Sequence, residues 1–314
     1  MIIHPDDPQI HSLSQLNRVI ALSHSTDLSV GDALFTADQL VRHGRCDHAQ
    51  RVVDRLAAAG HRNETLGRWL RRLSAAAEHV RSVSGLSAIL ADEPELEKLF
   101  SLRSSTYAAG HTAQKLVVVY STAYNNFDIS FPFLHCLLAP HADRILYVKN
   151  PGRGIYTTGN SEYGSSIDEM SSRLCGLLAS INPSHVTVMG FSGGGYAALH
   201  LAAKARADVF VGLGVRTDWS RDSACELVRG RTAPDASDYA TNTLCNMRDM
   251  PEITEIRRAV LYYGDRDDTD RSQALNMAGL PNFAIHAVRP GTHNLVMDFL
   301  ASGRLPELIS NSLD

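Results

Sequence analysis

The first hundred residues carry apolar side chains at the three-to-four-residue spacing of amphipathic helices. Four apolar stripes recur at this spacing: Leu13, Leu16 and Ile20; Leu34, Ala37, Leu40 and Val41; Cys46, Ala49, Val53 and Leu56; and Leu66, Trp69, Leu70, Leu73 and Ala77. Gly44 and Gly60 lie where helices would end, and Asn63 is suited to cap the fourth helix. The pattern predicts an all-α domain over about residues 1–95.

The second and third stripes resemble a tetratricopeptide helical hairpin. The positions that carry the resemblance are Ala37, Leu40, Gly44, Ala49, Val53, Leu56 and Gly60. One such unit is present, whereas repeat proteins generally need three or more to bury a continuous core. Two interpretations stay open: a helical bundle that packs on the following domain, and a module that binds a protein partner or mediates self-association.

From about Phe100 the pattern changes to apolar runs that alternate with helical stretches. The runs have the length and continuous apolar character of strands buried on both faces. They cover 116–120, 145–148, 186–189, 209–213, 259–263 and 283–288. Helical spacing lies between them, over 167–181 and 196–205. This alternation predicts an α/β domain over residues 96–314, built on a doubly wound, mostly parallel sheet.

The connection between the fourth and fifth predicted strands, about residues 216–258, is unusually long. Connections in compact domains commonly have two to six residues, and much longer ones are often lids or binding loops. This one mixes apolar residues such as Trp219 and Leu244 with charges. It therefore predicts a mostly helical cap over a ligand site, with a peripheral packing excursion as the alternative.

Composition narrows the class of protein. The chain has 314 residues, of which 44% are hydrophobic and 20% charged, and a net charge of −4. No basic patch indicates nucleic acid, no apolar run reaches the roughly 20 residues that span a bilayer, and the first residues lack a secretion signal. The five cysteines are scattered, without a C-x-x-C motif. We expect a cytoplasmic protein that binds neither nucleic acid nor membrane.

The strongest chemical motif is Gly190-Phe191-Ser192-Gly193-Gly194, a G-x-S-x-G sequence. It follows an apolar strand and opens an alanine-rich helix, the context in which this motif holds a nucleophilic serine on a sharp turn. A P-loop or a dinucleotide-binding loop needs other residues, which are absent here. Ser192 is therefore the predicted nucleophile.

A serine needs a base, and the base needs an orienting acid. His293 follows the last predicted strand, whereas His286 lies within that strand and His200 within the helix after Ser192. Three aspartates follow the penultimate strand, and Gly264-x-x-Asp267 favours Asp267 as the acid. Asp265, Asp268 and, after the preceding strand, Asp218 remain alternatives; Asp268 and Asp270 are also typical of helix caps.

Residues from about Lys115 to Ser310 resemble the α/β-hydrolase superfamily through the motifs around Ser192, Asp267 and His293. The resemblance implies that these three residues act as nucleophile, acid and base, and that residues 216–258 are the cap. It also implies an oxyanion hole formed by the amides of Gly193 and of Thr122 or Ala123. The third strand of many relatives ends in His-Gly, whereas Tyr120-Ser121-Thr122-Ala123 stands here.

Four further residues are predicted to bind substrate: Tyr124, Arg153, Phe191 and Trp219. The segments 121–126 and 150–156 loosely resemble hydrolase-like proteins of bacterial polysaccharide and accessory-secretion loci, which implies acyl groups on sugars. An ordinary loop arginine and a packing tyrosine are the alternative for Arg153 and Tyr156.

These features predict a serine hydrolase that cleaves an ester bond of a small-molecule acyl substrate, with no cofactor and no metal. An acyltransferase, thioesterase or peptidase would use the same three residues. A non-enzymatic interaction protein with a vestigial site is the third possibility.

Overall fold

The computed structural model describes residues 10, 12–59, 64–101, 106–108, 114–122, 126–149, 155–220, 238 and 242–313. The chain divides into two compact units. One comprises Met1–Leu102, Asp128–Pro140 and Val296–Ser310, and the other comprises Arg103–Phe127, His141–Leu295 and Asn311–Asp314. The sequence predicted a domain boundary near residue 95. It did not predict that Asp128–Pro140 and Val296–Ser310 belong to the helical unit.

The first unit is helical. Its helices are α1 (Leu13–Leu22), α2 (Val30–Arg42), α3 (Cys46–Ala58), α4 (Glu64–Arg81), α5 (Leu86–Ala91), α6 (Glu93–Ser101) and α7 (Phe131–Leu138). Serine hydroxyls cap α1 and α2, where Ser12 and Ser29 accept hydrogen bonds from amides in the first turn. Each predicted apolar stripe has a buried centre, with Leu16, Leu40 and Leu73 at most 1% exposed, while Leu13, Leu34 and Trp69 are partly exposed. Helices α2 and α3 form a hairpin, and its tetratricopeptide character remains a prediction.

Charged contacts join the later segments of this unit to its first helices. The guanidinium of Arg42 on α2 donates from Nε to Asp38 at 2.6 Å and from Nη1 to the carboxylate of Asp128. Arg72 on α4 forms an ion pair with Asp298 at 2.7 Å. These pairs are largely shielded from water, which explains why sequence-distant segments form one unit with the helices.

The second unit is built on a seven-stranded sheet. Its strands are β1 (Thr106–Ala108), β2 (Lys115–Tyr120), β3 (Arg144–Val148), β4 (His185–Phe191), β5 (Val209–Leu213), β6 (Arg258–Gly264) and β7 (Phe283–Val288). They are ordered β1-β3-β2-β4-β5-β6-β7, with β1 antiparallel to β3 and every other pair parallel. The prediction of a doubly wound, mostly parallel α/β sheet preceded by an all-α region is confirmed.

Helices connect the parallel strands. They are α8 (Ile167–Ile181), α9 (Gly195–Lys204) and α10 (Asp268–Asn276). The helices after the last strand, α11 (Leu295–Ala301) and α12 (Leu305–Leu313), belong mostly to the first unit. Strand β5 and helix α9 are fully buried over most of their length, as their continuous apolar sequences predicted. Among the helices that the structure describes, none combines the length and apolarity needed to span a membrane.

The predicted cap is described only in part. Residues 221–237 and 239–241 lie outside the described residues, so the prediction of a mostly helical cap over the site remains a prediction. Residues 242–258 contain two short 3-10 helices, Met247–Asp249 and Pro251–Glu255, and bury Met247 and Ile253 in the core of the second unit. This part of the segment is a packed portion of the α/β unit.

Candidate active site

Ser192 lies on the turn that joins β4 to α9. The strand ends at Phe191, a 3-10 turn spans Ser192–Gly194, and α9 begins at Gly195. Ser192 has a φ of +49°, a left-handed conformation that a residue with a side chain seldom adopts. Unlike Phe191 before it and Gly194 after it, which are buried, Ser192 is partly exposed. The turn therefore holds a hydroxyl in a strained, accessible position at the start of a helix.

The glycines on either side of Ser192 are required by close backbone approach. A Cβ at Gly190 would lie 2.6 Å from the Cβ of Ala198, and one at Gly194 would lie 2.1 Å from the carbonyl oxygen of Ser121. Both distances are shorter than real side chains tolerate, so these positions admit only glycine. The G-x-S-x-G pattern is therefore explained by packing of β4 against α9 and against the end of β2.

His293 lies within hydrogen-bond distance of Ser192. Its Nε2 is 2.8 Å from Ser192 Oγ. The loop that carries His293 is held by Asp265, whose carboxylate accepts a hydrogen bond from the amide of Gly291 at 2.9 Å. The two rival histidines lie elsewhere: His286 is exposed on β7 and stacks on Tyr262, and His200 is buried. The structure therefore brings Ser192 and His293 together, as the sequence predicted.

The acid beside His293 is Asp270, and the prediction that Asp267 makes this contact is wrong. His293 Nδ1 is 2.8 Å from Asp270 Oδ2, and the Asp270 side chain is fully shielded from solvent, with 0% exposure. Asp267 instead caps α10, because its Oδ1 accepts a hydrogen bond from the amide of Asp270 at 2.9 Å. Asp270 lies three residues later, in the first turn of that helix. Asp267, the predicted acid, therefore caps the helix, and Asp270, the second aspartate of the D-x-x-D pattern, contacts His293.

The other acidic alternatives are engaged elsewhere or exposed. Asp268 is exposed at the start of α10, and Asp265 holds the loop of His293. Asp218 accepts hydrogen bonds from the amide and the hydroxyl of Ser220 at 2.9 and 2.6 Å. The Asp270–His293 contact is therefore specific to one of the five aspartates considered.

Gly214, directly after β5, leaves room for the acid and the base to meet. It has a φ of +55°, and a Cβ there would lie 2.7 Å from Asp270 Oδ2 and 3.3 Å from His293 Nδ1. A larger residue would be forced between the two groups. Sequence reasoning missed both Gly214 and Asp270, although the Leu213-Gly214 strand end and the D-x-x-D spacing were signals for them.

The electrostatic environment of His293 favours its protonated form. Burial alone would lower the pKa of His293, but the hydrogen bond and charge of Asp270, together with the charge of Asp267, outweigh burial and raise the pKa. The positive charge of Arg216 opposes them. An imidazole with a raised pKa accepts a proton readily, which suits a general base.

Phe191, predicted to bind substrate, packs on the imidazole. Its ring lies 5.6 Å from that of His293, with 28° between the planes, and 6.1 Å from the ring of Phe127. Phe191 is only 3% exposed. Its observed contact is with the imidazole of His293, and a role in substrate binding remains a prediction.

Of the predicted oxyanion-hole donors, Gly193 lies in the 3-10 turn, and its role remains a prediction. It is the second residue of the helical turn, and the first amides of a helix have no acceptor within the helix. The amide of Thr122 donates to the carbonyl oxygen of Asn126 at 2.7 Å and is therefore not free, which contradicts its predicted role. Ala123, the other candidate, lies outside the described residues.

The remaining predicted binding residues have mixed outcomes. Tyr124 and Arg153 lie outside the described residues. Trp219 is 3% exposed and packs in the core of the second unit, and its Nε1 is buried without a hydrogen-bond partner in the structure. Tyr156 is fully buried, and its hydroxyl donates to the carbonyl oxygen of Val148 at 2.7 Å, so it holds the ends of β2 and β3 together.

A second Ser–His–Asp group shows what the candidate site has in addition. Ser171 Oγ is 2.9 Å from His200 Nδ1, and His200 Nε2 is 3.5 Å from Asp168. Ser171, however, is fully buried within α8, with 0% exposure, and does not have the left-handed backbone of Ser192. The two groups thus share their residue types, and of these two serines Ser192 is the one that is partly exposed.

One group of described residues has the spacing of metal ligands. One ligand atom each from Asp267, Asp270 and His293 lies within 4.8 Å of the others. The Nδ1 atom of His293 and Oδ2 of Asp270 already share a hydrogen bond, and Asp267 caps a helix. The Asp270–His293 hydrogen bond and the cap of α10 therefore explain why these three side chains lie close together.

No family model and no curated protein matches the sequence. Similar solved structures include MenH from S. aureus, at 13% identity, with 67% of this chain and 97% of that chain covered and a TM-score of 0.45. The structure of 2,6-dihydroxy-pseudo-oxynicotine hydrolase is 15% identical. The aligned region covers 96% of this chain and 93% of that chain, with a TM-score of 0.48. A carboxylesterase structure from Nitrososphaera gargenis is 15% identical, with 62% and 89% covered and a TM-score of 0.44. Similarity at this level does not show a function for this chain, which has to be argued from the site itself.

Proposed function

We propose that this protein is a serine hydrolase that cleaves an ester bond through an acyl-enzyme intermediate. The supporting observation is a continuous hydrogen-bonded chain of three side chains. Ser192 Oγ lies 2.8 Å from His293 Nε2, and His293 Nδ1 lies 2.8 Å from the buried carboxylate of Asp270. This arrangement activates a serine hydroxyl for attack on an acyl carbonyl.

In the first half of the reaction, Ser192 Oγ attacks the carbonyl carbon while His293 Nε2 takes the hydroxyl proton. The carbonyl π electrons move to oxygen, and the amide of Gly193 stabilises this oxyanion, with the predicted amide of Ala123 as the second donor. When the intermediate collapses, the bond to the leaving alcohol breaks and His293 returns the proton to the alcohol oxygen. Asp270 fixes the tautomer of His293 and stabilises its charged form throughout.

In the second half, His293 removes a proton from water, and the hydroxide equivalent attacks the acyl-enzyme. Collapse of this second intermediate releases the carboxylic acid and returns the proton to Ser192. An alcohol or amine in place of water would give acyl transfer, and a thioester or peptide in place of the ester would use the same steps. We therefore propose a class of reaction, acyl transfer through Ser192, rather than one particular substrate.

A fluorophosphonate probe tests the nucleophile directly. We expect covalent labelling of the wild-type protein and of Ser171→Ala, and none of Ser192→Ala. Ser171 is the matched control, because its hydroxyl also contacts a histidine that an aspartate accompanies. Peptide mass spectrometry that located the adduct on any serine other than Ser192 would refute the proposal.

A panel of 4-nitrophenyl esters graded by acyl length then tests the reaction. We expect release of nitrophenol and free acid by the wild type, and background rates with Ser192→Ala. Repeating the assay with added alcohols and amines separates hydrolysis from transfer, since an acceptor that captures the acyl group gives a new ester or amide. A folded wild-type protein whose Ser192 stayed unlabelled would identify an interaction protein with a vestigial site.

A further inference from the structure

Arg216 is a partly buried arginine that forms no ion pair with the described residues. Its Nη1 atom is buried and has no hydrogen-bond partner. Within the described ranges, no carboxylate forms an ion pair with it. A buried guanidinium N–H without an acceptor is costly, because the donor loses its water and gains nothing in return. An acceptor that arrives from outside the chain would satisfy this donor.

The position of Arg216 places it beside the site. Leu213, the last residue of β5, pairs with Phe191, the last residue of β4, so the chain after Leu213 leaves the sheet next to Ser192. Gly214 lies against both Asp270 and His293. Ligands of open α/β sheets bind at this carboxyl edge.

The chain on both sides of Arg216 is fixed. The side chain of Val215 fills the space that a Cβ at Gly195 would occupy, 2.2 Å from Val215 Cγ1. The amide of Thr217 donates to Gln273 Oε1 at 2.6 Å, and its hydroxyl donates to the Gln273 carbonyl oxygen at 2.6 Å. Arg216 therefore projects from an anchored segment, and little ordering is needed when a ligand binds.

The charged residues around the site are consistent with an anion bound at Arg216. Arg216 lies near enough to His293 for its charge to oppose the effect of Asp270 and Asp267 on the pKa of the imidazole. An anionic group close to Asp267 and Asp270 would be repelled unless a cation met it. Arg216 supplies that cation, and its planar fork of donors matches a carboxylate or phosphate.

We infer that Arg216 binds an anionic group of the substrate, so that the preferred esters of this enzyme carry a negative charge close to the scissile bond. The inference rests on the proposed hydrolase function, which it deepens by naming a substrate class. It leaves two sources of the anion, the acyl chain and the leaving alcohol, and these are separated by experiment.

Matched esters test the inference. For the acyl arm, 4-nitrophenyl hydrogen glutarate is compared with its methyl ester, which has nearly the same shape and no charge. For the alcohol arm, 4-carboxyphenyl acetate is compared with its methyl ester. The proteins are the wild type, Arg216→Gln, Arg216→Lys, and Arg271→Gln as a control that removes the same charge from an exposed position on α10.

We expect the wild type to favour the charged member of one pair in kcat/KM. Arg216→Gln should lose about 10- to 100-fold on that ester, the range typical of a hydrogen bond to a charged group, and less than about threefold on the neutral ester. Arg216→Lys should recover part of the loss, and Arg271→Gln should behave like the wild type. Arg216→Gln should also move the acidic-limb inflection of kcat/KM, where His293 loses its proton, to higher pH, because the variant lacks the charge that lowers the pKa of His293.

Binding and labelling separate the two levels of the proposal. In a Ser192→Ala background, calorimetry with the charged and neutral esters measures recognition without turnover, and the charged ester should bind at least about tenfold more tightly when Arg216 is present. Equal affinity for both members of each pair, or equal losses on charged and neutral esters in Arg216→Gln, would overturn the inference. Failure of the hydrolase proposal would appear instead as an unlabelled Ser192 in every protein.

Discussion

The carboxylate of Asp267 caps the helix that carries Asp270, since its Oδ1 accepts a hydrogen bond from the Asp270 amide at 2.9 Å. The two aspartates thus have different tasks on one helical turn. Asp267 fixes where α10 begins, and Asp270 faces His293 at 2.8 Å from Nδ1. The helix cap, Asp267, and the catalytic acid that we propose, Asp270, therefore lie about one helical turn apart.

This division of tasks predicts opposite phenotypes for two similar substitutions. Asp270→Asn should lower kcat by about 10³- to 10⁴-fold, because an amide favours the wrong tautomer of His293. Asp267→Asn should retain activity within about tenfold, since asparagine is also a good N-cap and loses mainly a neighbouring charge. The measurement is kcat on a 4-nitrophenyl ester, with circular dichroism to confirm that both variants fold. A larger loss in Asp267→Asn than in Asp270→Asn would contradict the assignment.

The same turn shows where sequence reasoning succeeds and where it stops. Ser192 and His293 could be found because local constraints mark them: glycines forced by close packing around the elbow, and a histidine just after the last strand. The acid could not be separated from its neighbours, because either a capping or an orienting role suits an aspartate after a strand. Only the three-dimensional direction of the first turn of α10 distinguishes Asp267 from Asp270.

The sequence also predicted the main elements of the fold but not all of its connections. All six parallel strands lie where continuous apolar runs predicted them, since buried strands leave a clear signal. Strand β1 (Thr106–Ala108), which pairs antiparallel with β3, was missed because three residues carry no periodicity. The membership of Asp128–Pro140 and Val296–Ser310 in the helical unit was missed because contacts such as Arg42–Asp128 and Arg72–Asp298 join residues far apart in sequence.

The raised pKa of His293 predicts the pH dependence of the reaction. The base must be neutral to accept the proton of Ser192, so kcat/KM should rise with pH through the pKa of His293. We expect an inflection above the ordinary histidine value of 6.5, because Asp270 and Asp267 stabilise the protonated ring more than burial disfavours it. Asp270→Asn should lower the inflection, the opposite of the change expected for Arg216→Gln. A wild-type inflection below 6.5 would contradict this account of the site.

Gly214→Ala tests whether the acid and base need the space that this glycine leaves. The new Cβ would lie 2.7 Å from Asp270 Oδ2, at a residue whose φ of +55° also strains alanine. We expect kcat to fall at least about tenfold and stability to fall by about 1–2 kcal/mol, the usual cost of a left-handed residue with a Cβ. The control is Gly176→Ala on α8, where a Cβ would meet nothing within 4 Å. It should leave kcat unchanged and stabilise the helix by about 0.5–1 kcal/mol, so similar losses in both variants would reject the steric explanation.

The Ser171–His200–Asp168 group, of which Ser171 and His200 are buried, is predicted to stabilise the α/β unit without taking part in catalysis. Asp168 meets His200 at 3.5 Å and accepts a hydrogen bond from the amide of Thr243 at 2.7 Å, which joins α8, α9 and the segment after residue 242. The hydrogen bond with His200 lowers the pKa of Asp168 to about 2, from an ordinary 3.8. A carboxyl group with a depressed pKa stabilises the folded state above its unfolded-state pKa, and this contribution is lost as pH falls toward the folded-state pKa.

Asp168→Asn should therefore lower the free energy of unfolding at pH 7 by about 1 kcal/mol, a modest value because the carboxylate is partly exposed to solvent. The difference from the wild type should shrink between pH 4 and pH 2, where the native carboxylate becomes protonated. Urea unfolding across this pH range measures it, with Glu169→Gln as the neighbouring control, since Glu169 pairs only with exposed groups on its own helix and the preceding turn. Labelling of Ser192 should be the same in both variants. Loss of labelling in folded Asp168→Asn would mean that this group acts on the site, and a pH-independent difference would mean that the charge of Asp168 is not what stabilises the unit.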